Sequence, residues 1–332
     1  MGGLGLMLRR RAIQAHPTIS EGGYILSADK GDPEVFRVLM EKGVSSDGVG
    51  ITKEDAAKVT SIGDWFQGNK SIVNFDEYKY FINATSIPAY AFMNCSALTS
   101  ISFPENITLV GAYSFKGCPL LTGDVNLHNA TKVDTEAFQS TLITSLYAPN
   151  LQTISTSAFY GCKNMTEVYA PNVSLLGAYA FFNCSALESL SLGGSVTSVG
   201  AFAFKGCTKL GGAINLPLAT KIGEEAYNST LITSLSAPKL QTIVTSAFYN
   251  CKQLVRVYLS EITNINGFAF YGCSFMNALI IDNSNTPTLG SSVFVNNNAL
   301  IYVPDAAVDA YKAATNWSTY ASRIKPLSEY QG

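Results

Sequence analysis

The cysteines fall at Cys95, Cys118, Cys162, Cys184, Cys207, Cys251 and Cys273, with successive gaps of 23, 44, 22, 23, 44 and 22 residues. One period of 22–23 residues therefore runs through most of the chain, and each gap of 44 hides a repeat without its cysteine. In those two repeats the column residue reads as Ser140 and Ser229. Around each column position lies one skeleton, complete at Ser155–Asn172: Ala-Phe-x-Gly-Cys, Leu or Met three residues on, an aliphatic residue, then Pro. A fixed period of this length leaves few folds open. Each repeat is one turn of a rod, and it can bury its apolar face only on the turns beside it.

An aromatic column accompanies the cysteines: Phe92, Phe115, Phe138, Phe159, Phe181, Phe204, Tyr227, Phe248, Phe270 and Phe294. Val59–Phe75 keeps the pattern in a more polar form, with Phe66 in the ring position, as a terminal repeat should. That gives about eleven turns and a rod roughly 50 Å long at ~4.8 Å per strand step. Within a turn, Leu98, Ile101 and Phe103, or Met165, Val168 and Ala170, point inward around a short strand. Pro104, Pro149, Pro171 and Pro238 end that strand, since proline has no ladder donor. Gly117, Gly161, Gly206 and Gly272 mark a backbone corner that disfavours a side chain. Asn94, Asn183 and Asn250 take the same place, and Asn tolerates the left-handed conformation best after Gly. A longer period of 89 residues is superposed. Residues 141–162 match 230–251 at 18 of 22 positions, so four turns have been copied as a block.

An odd number of thiols in one inward column reads as free, buried cysteine rather than disulfide. There is no Cys-x-x-Cys, and the two histidines, His16 and His128, are far apart, so no zinc site is expected.

Four segments follow. Residues 1–25 read as a flexible tail. Residues 26–58 form a helix-loop-helix cap: Asp32-Pro33-Glu34 is a strong helix start, and Thr52 with Asp55 resembles a capping box. Residues 59–304 are the solenoid, and 305–332 a helical C-terminal cap beginning after Pro304. The acidic-glycine loop between the two N-terminal helices supplies too few oxygens at calcium-ligand spacing to hold that ion.

Net charge is −2 and charged residues are only 14% of the chain, which argues against a nucleic-acid partner. No apolar run approaches the ~20 residues of a membrane span, so no membrane insertion is expected. The tail places its short apolar piece before Arg9–Arg11, the reverse of a secretory signal, and no export signal is recognisable. No nucleophile elbow, HExxH or phosphate-binding loop occurs, so the chain reads as a non-enzyme with no cofactor. Asn-x-Ser/Thr triplets are frequent, as the abundance of these residues would produce by chance.

The segment AFMNCSALTSISFPENITLVGAYSFKGC resembles the BspA-like subclass of leucine-rich repeats, over about residues 59–304. The ending IYVPDAAVDAYKAATNWSTYASRIKPL and the opening ITKEDAAKVTSIGDWFQGNKSIVNFDEYKYF resemble the flanking segments of such proteins from gut Bacteroidetes. The resemblance implies a leucine-rich solenoid with short strands on one face, and a surface adhesin that binds host matrix proteins or other cells. The start MGGLGLMLRRRAI resembles virion proteins of phages and prophages of the same bacteria. That likeness implies a tail or capsid appendage with other virion proteins as partners.

The variable outward strand positions are the candidate binding surface. They carry Asn126, Tyr147, Tyr169, Asn215 and Tyr258, with Glu167 and Arg256 beside them. Tyr, Ser and Asn combine rigid amphipathic rings with small hydrogen-bonding groups, the composition of adaptable binding surfaces. The expected function is recognition of a cell-surface glycan or protein, displayed on a virion or on a bacterial cell. A leaderless cell-surface adhesin and a structural spacer are the alternatives.

Overall fold

The computed structural model describes residues 23–331. Arg9–Arg11, His16 and most of the expected tail lie outside the described residues. The repeats wind into a parallel β-solenoid with two strand-bearing faces. The narrow face is one sheet of ten two-residue strands, from Ser86–Ile87 to Thr288–Leu289. Among the described residues the broad face carries twelve strands, the first Asn74–Phe75 and the last Ile324–Pro326. That is one more than the eleven turns counted from the ring column. The C-terminal segment, after its helix Val308–Ala313, returns to pair in parallel with Leu300–Val303.

The core is a stack of rings. From Phe66 through Phe92 to Phe294, neighbouring column rings stand 5.0–6.1 Å apart at interplanar angles of 2–20°. Stacks of this kind are worth about 0.5–1.5 kcal/mol per pair beyond area burial. Beside each ring, the column thiol donates to the carbonyl of the aromatic residue one turn earlier. Cys95 reaches Phe66 O at 2.9 Å, Cys184 reaches Phe159 O at 3.1 Å, and Cys273 reaches Phe248 O at 3.1 Å. All seven cysteines are free and buried. Burial pushes the Cys207 and Cys251 thiols up to about 12.

The two cysteine-less turns correct the sequence reading. Ser140 and Ser229 do not occupy the thiol column. They sit at the left-handed corner, at φ 60° and 62°, where Gly161 and Asn94 sit in other turns. The next residues, Thr141 and Thr230, are buried in the column and donate to Phe138 O (2.9 Å) and Tyr227 O (2.8 Å). Column spacing is therefore 23 then 21 across each long gap, not 22 twice. In the last turn Asn297 takes the column place and donates to Phe270 O at 3.0 Å.

A second left-handed corner precedes each ring by two residues. It holds Tyr90, Tyr113, Tyr179, Phe202 and Phe268 at φ 57–63°, although bulky residues rarely adopt this region. The first of two contacts holds all five there, and the second holds all but Phe268. The Tyr90 N–H bonds Ala112 O in the next turn, and the rings stack along the rod, Tyr179 on Phe202 at 4.8 Å.

Three of the Asn-x-Thr/Ser triplets, those at Asn106, Asn129 and Asn172, have a structural role. Asn106 and Asn129 donate their side-chain amides to Ile82 O and Glu105 O, and Thr108 and Thr131 donate to Thr85 O and Thr108 O. Asn172 and Ser174 do the same with Pro149 O and Gln152 O, so each of these three triplets stitches a turn to its predecessor twice.

Both ends of the core are closed. At the start, Asp32 caps the helix Pro33–Glu41 through Oδ1, which accepts from the Glu34 and Val35 N–H groups. Its Oδ2 accepts from Val73 and Asn74 in the first turn. The Thr52–Asp55 capping box opens the helix Lys53–Lys58. In the loop between the helices, Asp47 is taken up by Tyr24 Oη and the N–H groups of Val49 and Gly50. At the far end Trp317 lies 6.1 Å from Phe294 and donates to Pro287 O at 2.8 Å.

Two outcomes test this core. At pH 8 the folded protein should give no thiol signal with Ellman's reagent, and all seven cysteines should react in guanidinium; fast labelling of the native protein would place a thiol outside the column. Phe181→Ala, which empties a fully buried ring position, should cost about 3–5 kcal/mol in urea unfolding. A loss under about 1 kcal/mol would contradict the ring stack as the principal core.

Candidate binding face with two clefts

Pairing on the broad face stops twice, between Ser100–Ile101 and Thr122–Asn126 and between Ser189–Ser191 and Gly211–Asn215. One cause explains both. In the Cys95 turn the inward residues are Leu98, Ile101 and Phe103. In the Cys118 turn they are Leu121, Val125 and Leu127, one residue later from the second onward, and Cys207 repeats this with Leu210, Ile214 and Leu216. The extra residue is Gly123 or Gly212, at φ +96° and +86°, with open space where a Cβ would stand. Relative to the strand before, this residue is one too many and pairing across the gap is lost, while pairing with the next strand continues with a register shift that leaves Thr144 or Thr233 without a partner. The following turn is one residue short, so the stack regains its length.

Each interruption opens a cleft down to the core edge. Ile101 and Phe103 are only half-buried at the first, and Leu190 and Ile214 at the second, whereas Val168 and Ala170 in an uninterrupted stretch are fully buried. The first cleft holds about 540 Å³ and is walled by Ser102, Glu105, Asp124, Asn126, His128 and Asn129. The second holds about 340 Å³ and is lined mainly by Leu190, Leu192, Ala213, Ile214 and Leu216, with Asn215.

Beside the first cleft stands a ladder of rings. Asn126, Tyr147 and Tyr169 are directly opposite one another on three successive strands. The tyrosine rings lie 5.2 Å apart and 8° from parallel, at 45% and 39% exposure. His128 continues the ladder 6.3 Å from Tyr147. Asp124 Oδ1 accepts from Thr144 (2.7 Å) and Ser145 (2.6 Å), which fixes the carboxylate. The Ser145 hydroxyl, then that of Thr144, holds its pKa below the ordinary carboxylate range. Glu167 is exposed on the same strand as Tyr169.

The seven residues nominated from the sequence thus divide into two groups. Asn126, Tyr147, Glu167 and Tyr169 share the sheet beside the first cleft. Asn215, Arg256 and Tyr258 lie on the next sheet, where Ser236 stands between Asn215 and Tyr258. Tyr258 is half-buried and receives a hydrogen bond from Ser260. Arg256 donates to Tyr330 Oη at 3.3 Å, because the C-terminal segment crosses the sheet there and packs Tyr330 against Tyr302. Sequence reasoning left out Glu105 and His128 as cleft walls. The signal was available in the extra glycine of CPLLTGDVNL, which shifts the inward residues by one. Among the described residues no three of His, Cys, Asp and Glu gather as a metal site, and no helix is long and apolar enough to cross a membrane.

Six copies of the BspA type leucine rich repeat region match the sequence, over residues 62–184, 131–239 and 220–304. The chain belongs to this family. Solved structures similar to this BspA-type chain include a leucine-rich repeat protein from Bacteroides ovatus, with 16% identity, 78% of this chain and 85% of that one covered, and a TM-score of 0.38. The pneumococcal vaccine antigen PcpA shares 15% identity over 74% of this chain and 76% of its own, with a TM-score of 0.38. A leucine rich cell surface protein from Faecalibacterium prausnitzii shares 19% over 82% and 87%, with a TM-score of 0.32. No curated protein matches the sequence.

The geometry at Asp124 has a titration consequence. Its carboxyl should titrate below the model-peptide value of 3.8 by carbon-detected NMR, and Ser145→Ala should move it back toward that value. Because the folded pKa is depressed, the stabilisation is present above the unfolded value and lost as pH falls through the folded one. An unchanged titration in the variant would remove Ser145 as the cause.

Proposed function

We propose that this BspA-type repeat protein is a non-enzymatic binding module that recognises a glycan or protein on a cell surface through its broad sheet face. The observation that carries this reading is the exposed, co-planar Tyr147–Tyr169 pair beside an open polar cleft. The column rings are spent on the core, whereas these two stand on the outward side of the sheet, partly in solvent. Rings held parallel by neighbouring strands lose little conformational freedom on binding, which favours their use as contact area. The resemblance of the repeats to surface adhesins supports the same reading.

Display on a phage or prophage particle is favoured by the likeness of MGGLGLMLRRRAI to virion proteins. Finding the chain in purified particles supports that setting, and finding it in an outer-membrane fraction supports a cell-surface adhesin instead.

The binding test uses the labelled protein on epithelial monolayers and on bacterial cells, read by flow cytometry. Tyr147→Ala with Tyr169→Ala should reduce retention about ten-fold, as loss of aromatic anchors does, with unchanged thermal unfolding. Retention equal to the parent protein would leave the sheet face without a binding role and favour a spacer.

A further inference from the structure

The copied four-turn block contains its own control. At an offset of 89 residues the frame is retained: Cys118 and Cys207, Gly123 and Gly212, Asn126 and Asn215, and the identical segments Leu142–Leu146 and Leu231–Leu235. The groups around the opening are not retained. Glu105, Asp124, His128 and Tyr147 stand where the second copy has Gly194, Ala213, Pro217 and Ser236. The same gap in the same backbone therefore carries two carboxylates and an exposed ring ladder once, and neither the second time. Whatever stacks the turns is common to both copies, so these four side chains are not required for it.

Their chemistry narrows what could enter. Asp124 is fixed through Oδ1, leaving Oδ2 as an acceptor in a set place. Asn129 spends its amide N–H on Glu105 O at 2.9 Å, which leaves its Oδ1 as an acceptor. Glu105 adds a second carboxylate, and no Lys or Arg among the described residues lines the cleft. Acceptors dominate, so a fitting ligand is rich in hydroxyl donors, and an anionic one is repelled. The ladder His128–Tyr147–Tyr169 offers ring faces to apolar C–H surface alongside. A pyranose has both properties, hydroxyls around its edge and C–H groups on its face. The cleft volume lies within the range of small-molecule sites.

We propose that the first cleft and its ring ladder form a subsite for a neutral oligosaccharide, one sugar ring lying against Asp124 and Glu105 and the next ones over Tyr147 and Tyr169. This rests on the sheet-face reading above and names its ligand class. The second cleft lacks both the carboxylates and the exposed ring ladder, and takes no part.

The full chain is applied to immobilised neutral gluco-, manno- and galacto-oligosaccharides, with sialylated glycans and an oligolysine peptide alongside. Retention is expected on at least one neutral series and not on the sialylated ones. Asp124→Ala and Tyr147→Ser install residues that the second copy already carries, so the fold should stand; matched thermal unfolding checks this. Each should weaken retention about ten-fold. As a second measurement, the soluble form of the retained sugar should shift the NMR signals of His128 and Tyr147 in the parent protein. The proposal is overturned if no neutral sugar is retained, if both variants bind like the parent, or if oligolysine is retained in place of sugars, which would assign the cleft to a basic peptide. A silent array with Tyr-dependent cell binding removes the sugar and leaves the sheet-face reading. Sugar retention with cell binding indifferent to both tyrosines does the reverse.

Discussion

Contact between one turn and the next is the interaction on which everything else in this molecule depends. No turn has a core of its own. Its ring is covered above and below by other rings, its thiol is satisfied by a carbonyl one turn back, and its Asn and Thr side chains bond the same predecessor. Stability is then close to a sum of nearest-neighbour terms, and the ends must be closed by something that is not a repeat. Asp32 does this at one end by serving a helix and the first turn with the two oxygens of one carboxylate. Trp317 does it at the other by covering the last ring.

This arrangement separates scaffold from surface. The positions that stack are fixed by ring size, thiol reach and the two left-handed corners. The outward strand positions carry none of that duty, so they can vary without unwinding the rod. The broad face is accordingly where chemistry differs from turn to turn, from Tyr147 and Tyr169 to Ser191 and Ser236.

The period and the ring column announced the solenoid because a strict repeat leaves one way to bury apolar side chains. The outward residues were legible for the same reason: alternation along each strand assigns them to the face. Three features were not. The threonine column was misplaced because a gap of 44 invites equal halves, whereas the corner at Ser140 makes it 23 and 21. The left-handed tyrosines gave no signal, since bulky residues normally avoid that conformation and are held in it here by contacts with the next turn. The clefts were missed because one added glycine looks like ordinary variation until its effect on pairing is seen. The division of Asn126, Tyr147, Glu167 and Tyr169 from Asn215, Arg256 and Tyr258 follows directly from those interruptions, and so could not be read without them.

The added glycine and the shortened turn after it also bear on how such a rod grows. The four column spacings from Cys118 to Cys207 are 23, 21, 22 and 23, and they sum to 89. A long turn copied alone would carry its added glycine without the short turn that follows it here. Copied together, the 23 and the 21 offset each other. The copied unit of this molecule is therefore the quartet rather than the single coil, and a gap in the sheet is inherited with every quartet, ready to be furnished or left empty.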